Sequence, residues 1–233
     1  MHEGSDFERI WLTRFSECIG RIAGEEIRKE IMKDTERISE ETSREEVIDW
    51  TKKAMEKLDT LVDESKRIEI MTNCACRYPK SDLRAIKERY EETKDIGVVH
   101  QMLQEQFESF LDDSLKLDKE MIEEIVNKGW GLAGVKKGDT IIATKIPKSG
   151  FLVEYMNEKD PEKKRQYYCH CPRIRDSLKL SKKISSTYCY CGAGFYKGIW
   201  EEILQESVEV KVLETVLKGD DVCKIAIHLP RKK

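Results

Sequence analysis

Six of the eight cysteines in this 233-residue chain form three pairs in which a single residue separates the two thiols. The pairs, in chain order, are Cys74 and Cys76, Cys169 and Cys171, and Cys189 and Cys191. Random placement of eight cysteines would almost never produce this pattern. Thiolates bind zinc and iron, attack electrophiles and form disulfides. The sequence therefore favours sulfur chemistry.

In a reducing compartment, clustered cysteines are more often metal ligands or reactive groups than disulfides. The second and third pairs are 17 residues apart, a loop length that suits a zinc site with four thiolate ligands. The first pair would then be spare or approach from the helical part. We predict a cysteine-rich metal site formed by the three pairs, with zinc as the first expectation. Because the one-residue spacing is shorter than in most zinc loops, an iron–sulfur cluster and a free reactive thiol stay open as alternatives.

The surroundings of the second and third pairs suggest further roles. The segment from Glu162 to Lys183 carries eight cations and two anions, and positive neighbours favour the thiolate over the thiol. It predicts either a solvated loop or a surface that receives an anionic ligand. His170 is a candidate metal ligand or acid/base group, with a plain loop histidine as the alternative. Tyrosines that flank both pairs either line a pocket or fill a small core.

The composition of the chain restricts the classes of partner that we expect. The chain has 42 basic and 45 acidic residues and a formal charge of -3, which leaves no basic excess for a nucleic-acid partner. It contains no apolar run of about 18 residues that could span a membrane, and residues 1–6 lack the features of a signal peptide. We therefore expect a cytoplasmic protein without a membrane or nucleic-acid partner.

Residues 1–130 are predicted to be a helical region. Trp11, Phe15 and Cys18 belong to an apolar face that indicates one long helix over residues 7–31. Ser43 and Glu46 form a capping-box pattern that begins a second helix. Further helical patterns begin near Pro79, at Asp95 and near Met121, so that the first cysteine pair falls between two helices. A homodimer through the helical faces and internal packing of those faces are both open.

Residues 131–233 are predicted to be an α+β domain with a cysteine-rich loop. Residues 140–146 and 151–156 resemble two strands of a hairpin, residues 158–183 are polar and irregular, and a short helix follows Gly192. Alternating valines at 208–212 and the strand pattern at 223–229 indicate a second hairpin. The predicted fold class is α+β: a helical N-terminal half packed on a C-terminal, mostly antiparallel sheet with covering helices.

Two cysteines and one glycine motif are interpreted as structural. Cys18 lies on the apolar face of the first helix, and Cys223 shares a strand face with apolar residues, so both are expected to be core residues. The glycines of the segment 129–134 match a dinucleotide-binding pattern but follow a helix instead of a strand, and we interpret the segment as a turn.

The last 45 residues or so also resemble a known group of domains. The order Tyr188-Cys189-Tyr190-Cys191-Gly192, a helix, a valine-rich strand, then Gly219-Asp220-Asp221, Cys223 and an Ile-Ala-Ile strand resembles the end of 4-vinyl reductase-like small-molecule-binding domains. It is similar to L-2-amino-thiazoline-4-carboxylic acid hydrolase-like proteins as well, and to an uncharacterised cysteine-rich bacterial and archaeal domain family. The resemblance implies an α/β domain with a helix-lined pocket, associated in some members with zinc or apolar ligands. Those domains commonly place a cysteine shortly before the Gly-Asp turn, whereas this chain has Val216 and Leu217 there.

The leading hypothesis is a small-molecule-binding protein, its ligand anionic or partly apolar, with a cysteine-rich metal site. The first alternative is a metal- or cysteine-dependent hydrolase acting on a C–N or C–S bond, with Cys189 or His170 as the candidate catalytic residue. The second alternative is a thiol redox protein.

Overall fold

The computed structural model describes the backbone of residues 3–39 and 41–230 and the side chains of residues 8–39 and 41–230. Residues 1–2 of the predicted helical region and residues 231–233 of the predicted α+β domain lie outside the described residues. In the described part, the predicted α+β fold class is confirmed: helices dominate the N-terminal half, and a four-stranded antiparallel sheet lies in the C-terminal half. The helices of the N-terminal half are α1 (Glu3–Ala23), α2 (Glu25–Ile31), α3 (Arg44–Leu61), α4 (Glu64–Asn73), α5 (Lys80–Thr93), α6 (Ile96–Ser109) and α7 (Lys119–Asn127).

Local signals explain where these helices begin and end. The Ser43 side chain accepts a hydrogen bond from the Glu46 backbone, and the Glu46 carboxylate accepts one from the Ser43 backbone, which confirms the capping box of α3. The single helix predicted over residues 7–31 is wrong, because Gly24 adopts a φ of 96° and separates α1 from α2. A glycine reaches this conformation at little cost, so it ends one helix and begins the next.

The C-terminal half contains four short helices and the sheet. The elements are β1 (Val135–Lys137), β2 (Thr140–Thr144), α8 (Leu152–Asn157), α9 (Pro161–Tyr168), α10 (Pro172–Lys179), α11 (Tyr190–Leu204), β3 (Glu209–Glu214) and β4 (Lys224–His228). The strand order is β1-β2-β4-β3, and every neighbouring pair is antiparallel. The predicted pairing of the last two strands is confirmed, as is the turn at residues 129–134, where three glycines have positive φ.

The first predicted hairpin is wrong in its second half. Residues 140–144 form β2, but its hairpin partner is the preceding β1, and residues 151–156 belong largely to α8. Leu152 and Tyr155 are buried while Val153 is exposed, a three-residue spacing typical of a helix. The residues of β1 are exposed, so this strand produces no apolar alternation that a sequence reading could detect.

The predicted irregular loop over residues 158–183 is also wrong, since it contains α9 and α10. Each begins with a proline at its first position, where the missing N–H group removes no helical hydrogen bond. Asp160 caps α9 by accepting hydrogen bonds from the backbone of Glu162 and Lys163. Both helices are short and mostly polar, although Arg173, Ile174 and Ser177 of α10 are buried, so their composition does not indicate a helix.

Two apolar clusters form the core, and both contain residues from the two predicted regions. One packs α1, α3 and α4 against residues 152–190, around Trp11, Phe15 and Tyr188. The other packs α5, α6 and α11 on one face of the sheet, around Trp200 and Ile227. No helix among the described residues is long and apolar enough to cross a membrane.

Candidate functional site

A cavity of about 750 Å³ lies between α11, the sheet and the helices that carry the cysteine pairs. It is lined by five of the six paired cysteines and by Cys223; the five are Cys76, Cys169, Cys171, Cys189 and Cys191. We call it the thiol cavity. A more open groove of about 1010 Å³ along α2 and α3 is lined by mainly charged side chains and contains no cysteine or histidine. The predicted chemistry therefore belongs to the thiol cavity.

Helix ends place the cysteine pairs around this cavity. The first pair follows the last residue of α4, the second lies between α9 and α10, and the third stands at the start of α11. Cys171 is the residue before α10, and Cys191 is the second residue of the 15-residue α11. The N-terminus of a helix carries a partial positive charge, which favours thiolates.

A close helix crossing brings the first and third pairs together. At Gly194 in α11, an added Cβ would lie 2.1 Å from the backbone oxygen of Thr72 in α4. Only glycine permits this approach, so the two backbones touch where α4 ends and α11 begins. As a result, Cys74 and Cys191 lie side by side.

Cys191 has the most activated thiol among those described. Interaction with the Cys74 thiol lowers the pKa of Cys191 to about 6 against the effect of burial, with a further contribution from the Cys76 backbone N–H. The Cys74 thiol itself donates a hydrogen bond to the Met71 carbonyl oxygen at 3.4 Å, and the Trp11 indole N–H is buried without a hydrogen-bond partner among the described residues. Interaction with Cys191 and burial raise the pKa of Cys74 well above its ordinary value. Of the two thiols, Cys191 is therefore the one whose pKa is lowered.

Burial acts in the opposite direction on Cys169 and Cys189. Burial raises the pKa of Cys169 to about 12 and that of Cys189 well above its ordinary value. The Cys189 sulfur lies 2.7 Å from the Thr215 hydroxyl, and the Cys171 sulfur 3.3 Å from the Tyr188 hydroxyl. Cys189, the nucleophile candidate of the sequence, has no hydrogen bond to His170 among the described residues.

Cys18 and Cys223 are buried, with 6% and 8% of their surfaces exposed, as predicted for core residues. Cys223, however, also lines the thiol cavity and interacts electrostatically with Cys189. The sequence could not reveal this role, because the contact joins residues that are far apart in the chain.

Lys145 supplies the positive charge of the cavity. Burial acts to lower its pKa, whereas Coulombic interactions with the Cys169 and Cys223 sulfurs act to raise it, and the pKa lies above its ordinary value. No carboxylate pairs with Lys145 in residues 8–39 and 41–230. Its Nζ would lie 4.0 Å from a Cβ added at Gly192, at the N-terminus of α11. A lysine and a helix N-terminus thus face the same space.

His170 lines the cavity as a neutral imidazole. Its Nε2 lies 2.8 Å from the carbonyl oxygen of Ile146 and donates a hydrogen bond to it. Burial, then the nearby Lys145, lowers the pKa of His170 to about 3. Nδ1 of this neutral tautomer is therefore unprotonated and can accept a hydrogen bond.

The basic segment around the second pair has internal partners. Arg175 donates hydrogen bonds to the carbonyl oxygens of Cys169 and His170, and Lys182 pairs with Glu45 and Asp49. None of the eight cations of this segment lines the cavity. Lys145 is the basic side chain of the cavity lining instead, and it lies near the end of a strand predicted from the sequence.

The flanking tyrosines divide between the two predicted roles. Tyr188 lines the cavity, whereas Tyr168 is fully buried and accepts a hydrogen bond from the Cys223 backbone at 2.8 Å. Tyr168 thereby holds the strand start that presents Cys223. Pocket lining and core filling thus both occur.

Cysteine sulfur is the donor that zinc and iron–sulfur clusters prefer. In the part of the chain that the structure describes, however, no three Cys, His, Asp or Glu side chains form a group that could hold a metal ion. The thiols instead make the pairwise contacts given above, and all eight cysteines are free. The donor chemistry fits a thiophilic metal, while the side-chain arrangement does not present a ligand set.

Comparison with known proteins addresses only the C-terminal third. Residues 155–233 match a family of unknown function (DUF6144), a span that contains the second and third cysteine pairs and Cys223 but not the first pair or Lys145. Neither the curated proteins nor the solved structures yielded a match. The vinyl reductase-like and thiazoline hydrolase-like resemblance stays a prediction, and the family match attaches no activity to the cavity.

Proposed function

We propose that this protein binds a small molecule in the thiol cavity, and that the ligand has an apolar body and an anionic group. The observation that carries the proposal is the cavity itself, a space of about 750 Å³ lined by aromatic rings and by Lys145, which has no carboxylate partner among the described residues. This volume lies in the range of small-molecule sites, which are mostly apolar and contain a few oriented polar groups. As part of the proposal, the protein works in the cytoplasm, where thiols are kept reduced.

The apolar body of the ligand would contact rings from separate elements. Phe107 and Phe110 come from the end of α6 and the π-helical turn that follows, and Phe195 comes from α11. Phe110 is 41% exposed, so a bound ligand would remove its surface from water. Burial of apolar surface contributes roughly 25 cal/mol per Å².

The anionic group would face Lys145. The other cavity-lining charges are the carboxylates of Asp82, Asp113 and Glu214, of which Glu214 is paired with Lys224 at 2.9 Å. None of them neutralises Lys145. A charge-assisted hydrogen bond to a ligand anion would supply the partner that this lysine lacks among the described residues.

Anilinonaphthalene sulfonate is a suitable probe, because it combines an apolar ring system with an anion and fluoresces when buried. We expect the probe to bind saturably at one site. Lys145→Met should weaken this binding roughly 10- to 100-fold, because a hydrogen bond to a charged group contributes about 1.5–3 kcal/mol. Lys148→Met, three residues further along and outside the cavity lining, is the matched control and should leave the affinity unchanged. Equal affinities for both variants would overturn the role of Lys145.

Filling the cavity provides an independent test of the site with the same probe. A Cβ at Gly192 would meet only the Lys145 Nζ at 4.0 Å, so Gly192→Leu can extend into the cavity without a backbone clash. We expect this variant to fold and to lose saturable binding. Gly198→Leu, on the same helix at a position with nothing within 4 Å, is the control and should bind as the unmodified protein does. If Gly192→Leu keeps full affinity, the binding site lies elsewhere.

A second candidate function is a metal centre bound by Cys169, Cys171, Cys189 and Cys191, with Cys74 and Cys76 nearby. The gathering of thiols from three segments around one cavity favours it. Metal binding would require side chains to rotate away from partners such as Thr215 and Tyr188. Zinc is the first expectation, and an iron–sulfur cluster is the alternative.

For this candidate, we expect anaerobically purified protein to contain zinc in proportion to the chain. After chelation, zinc titrated against a chromophoric chelator should rebind, and the double variant Cys169→Ser/Cys171→Ser should lose the tight site. Cys18→Ser, which removes a buried thiol outside the cavity lining, should keep it. Protein that neither contains nor takes up zinc or iron would remove the metal proposal and leave ligand binding untouched.

A further inference from the structure

We propose that a second cavity, on the other face of the sheet from the thiol cavity, binds the phosphate group of a small anion. This space of about 360 Å³, which we name the lysine cavity, is lined by the rings of Trp130 and Tyr155 and by Lys128, Lys164 and Lys224. Among the described residues, it shares no lining residue with the thiol cavity. The proposal is therefore independent of the ligand proposed for that site.

The alternation of side chains at the strand ends places the two cavities back to back. Thr144 and Lys224 are register partners at the end of the β2–β4 ladder, and both line the lysine cavity. Their chain neighbours Lys145 and Cys223 line the thiol cavity, and the Lys145 backbone N–H donates to the Cys223 carbonyl oxygen at 2.9 Å. Successive side chains of extended backbone point to opposite faces of a sheet. The end of the sheet thus separates two sites.

Two buried rings orient two of the lysines. Trp130 and Tyr155 meet edge to face, with ring centroids 5.8 Å apart. The Lys128 Nζ lies 5.0 Å from the centre of the Trp130 ring, and the Lys164 Nζ lies 4.8 Å from the centre of the Tyr155 ring. Cation–π attraction holds an ammonium group over a ring face at such distances. Because an ammonium group has three N–H donors, those that point away from the ring can bind a ligand.

Two of the three lysines have carboxylate partners at the surface. Lys128 pairs with Glu124, and the Lys224 Nζ lies 2.9 Å from a carboxylate oxygen of Glu214. All four side chains of these pairs are more than one third exposed. Exposed ion pairs are weak, so an incoming anion can share both ammonium groups.

The third lysine, Lys164, has no carboxylate partner in the part of the chain that the structure describes. Asp221 also lines the lysine cavity, but its side chain is 74% exposed and pairs with Arg165 at 3.7 Å. The lining therefore contains three ammonium groups and two carboxylates. This balance favours an anionic ligand. An organic cation would meet the excess positive charge and would have to displace the lysines from the ring faces.

A phosphate group fits this set of donors. A phosphate ester carries roughly 1.5 to 2 negative charges near pH 7 and offers three acceptor oxygens. Lysine binds phosphate as a point charge, without the planar geometry that arginine requires. The lysines come from the end of α7, from α9 and from β4, and Thr144 adds a hydroxyl donor beside Lys224. Inorganic phosphate and a small phosphate ester share this chemistry.

The test is isothermal titration calorimetry of the full chain with inorganic phosphate at constant ionic strength. We expect one saturable site. Lys164→Met should weaken binding roughly 10- to 100-fold, because it removes one hydrogen bond between charged groups. Lys164→Arg keeps the charge and should restore most of the affinity. Lys163→Met, on the same helix and outside the cavity lining, is the matched control and should leave the affinity unchanged.

Phenyl phosphate, as a second probe, distinguishes the two sources of the phosphate group. Tighter binding of phenyl phosphate than of inorganic phosphate would support the site and identify an organic phosphate as its ligand. Equal affinities would support a site for inorganic phosphate. In both cases, Lys164→Met should weaken the binding of each probe.

Lys145→Met separates this site from the thiol cavity. We expect this variant to bind phosphate as the unmodified protein does, even though its binding of the sulfonate probe is weakened. The proposal is overturned if the unmodified protein binds no phosphate saturably, if Lys164→Met keeps full affinity, or if Lys145→Met loses phosphate binding. Saturable binding of tetramethylammonium instead of phosphate would also overturn it, because the rings would then form a site for cations.

Discussion

Replacing Gly194 by alanine is expected to lower the free energy of unfolding by about 3 kcal/mol, at the upper end of the usual cost of overpacking a core. The new Cβ would meet three backbone atoms of Thr72, at 2.1, 2.6 and 2.7 Å. No rotamer change relieves a clash between two backbones, so α4 and α11 must move apart. The helical preference of alanine over glycine opposes this by only up to about 1 kcal/mol.

Urea unfolding of Gly194→Ala and Gly198→Ala measures this effect on one helix. Gly198 is exposed and an added Cβ there meets nothing within 4 Å, so Gly198→Ala should be neutral or stabilise the protein. Equal stability of the two variants would mean that α4 and α11 do not touch at this point, and the account of the cysteine positions would lose its basis.

Replacing Arg173 by methionine is expected to cost roughly 3 kcal/mol, the lower end of the range for breaking a buried ion pair. Arg173 is fully buried, pairs with Glu8, and lies 4.1 Å from the centre of the Trp11 ring. Methionine preserves the apolar stem but removes one of the two cations, Arg173 and Arg44, that pair with Glu8 in the described part of the chain. The loss also loosens Trp11, whose indole faces Cys191.

A double-mutant cycle isolates the ion pair from the packing of the stem. Glu8→Gln should cost less in the Arg173→Met background than alone, because the carboxylate has already lost its main partner. Arg165→Met serves as the surface control, since the ion pair of Arg165 with Asp221 spans 3.7 Å and its acid is 74% exposed; its cost should stay below about 1 kcal/mol. Additive effects of Arg173→Met and Glu8→Gln would contradict a buried pair that links α1 to α10.

The α+β class and most helices could be predicted because apolar periodicity and caps are local signals. Ser43 with Glu46 is such a signal, and so is the valine alternation of β3. The strand β1, by contrast, has exposed residues and no alternation, and α9 and α10 are short helices of mostly polar residues. Residues 151–156 were misread because six residues are too few to distinguish a strand from a helical turn.

For the site, the sequence identified the residue types but not their partners. From the spacing of the cysteines, Cys189 was the candidate nucleophile. The thiol with the lowered pKa is instead Cys191, because the fold places it near Cys74 and Trp11. Lys145 and Cys223 lie at the same end of the β2–β4 ladder, where the Lys145 backbone N–H donates to the Cys223 carbonyl oxygen at 2.9 Å, and the sequence does not show this pairing. The prediction that the paired cysteines assemble into a metal centre stays untested.

The central claim is that the cysteine segments surround one ligand-binding cavity. A crystal structure of the reduced protein with anilinonaphthalene sulfonate, with sulfur atoms located by anomalous scattering, tests it most directly. The account predicts the probe in the cavity, its sulfonate beside the Lys145 Nζ, and the sulfurs of Cys76, Cys169, Cys171, Cys189 and Cys191 around it. A probe bound elsewhere, or sulfur peaks from the three pairs on separate surfaces of the molecule, would contradict the account.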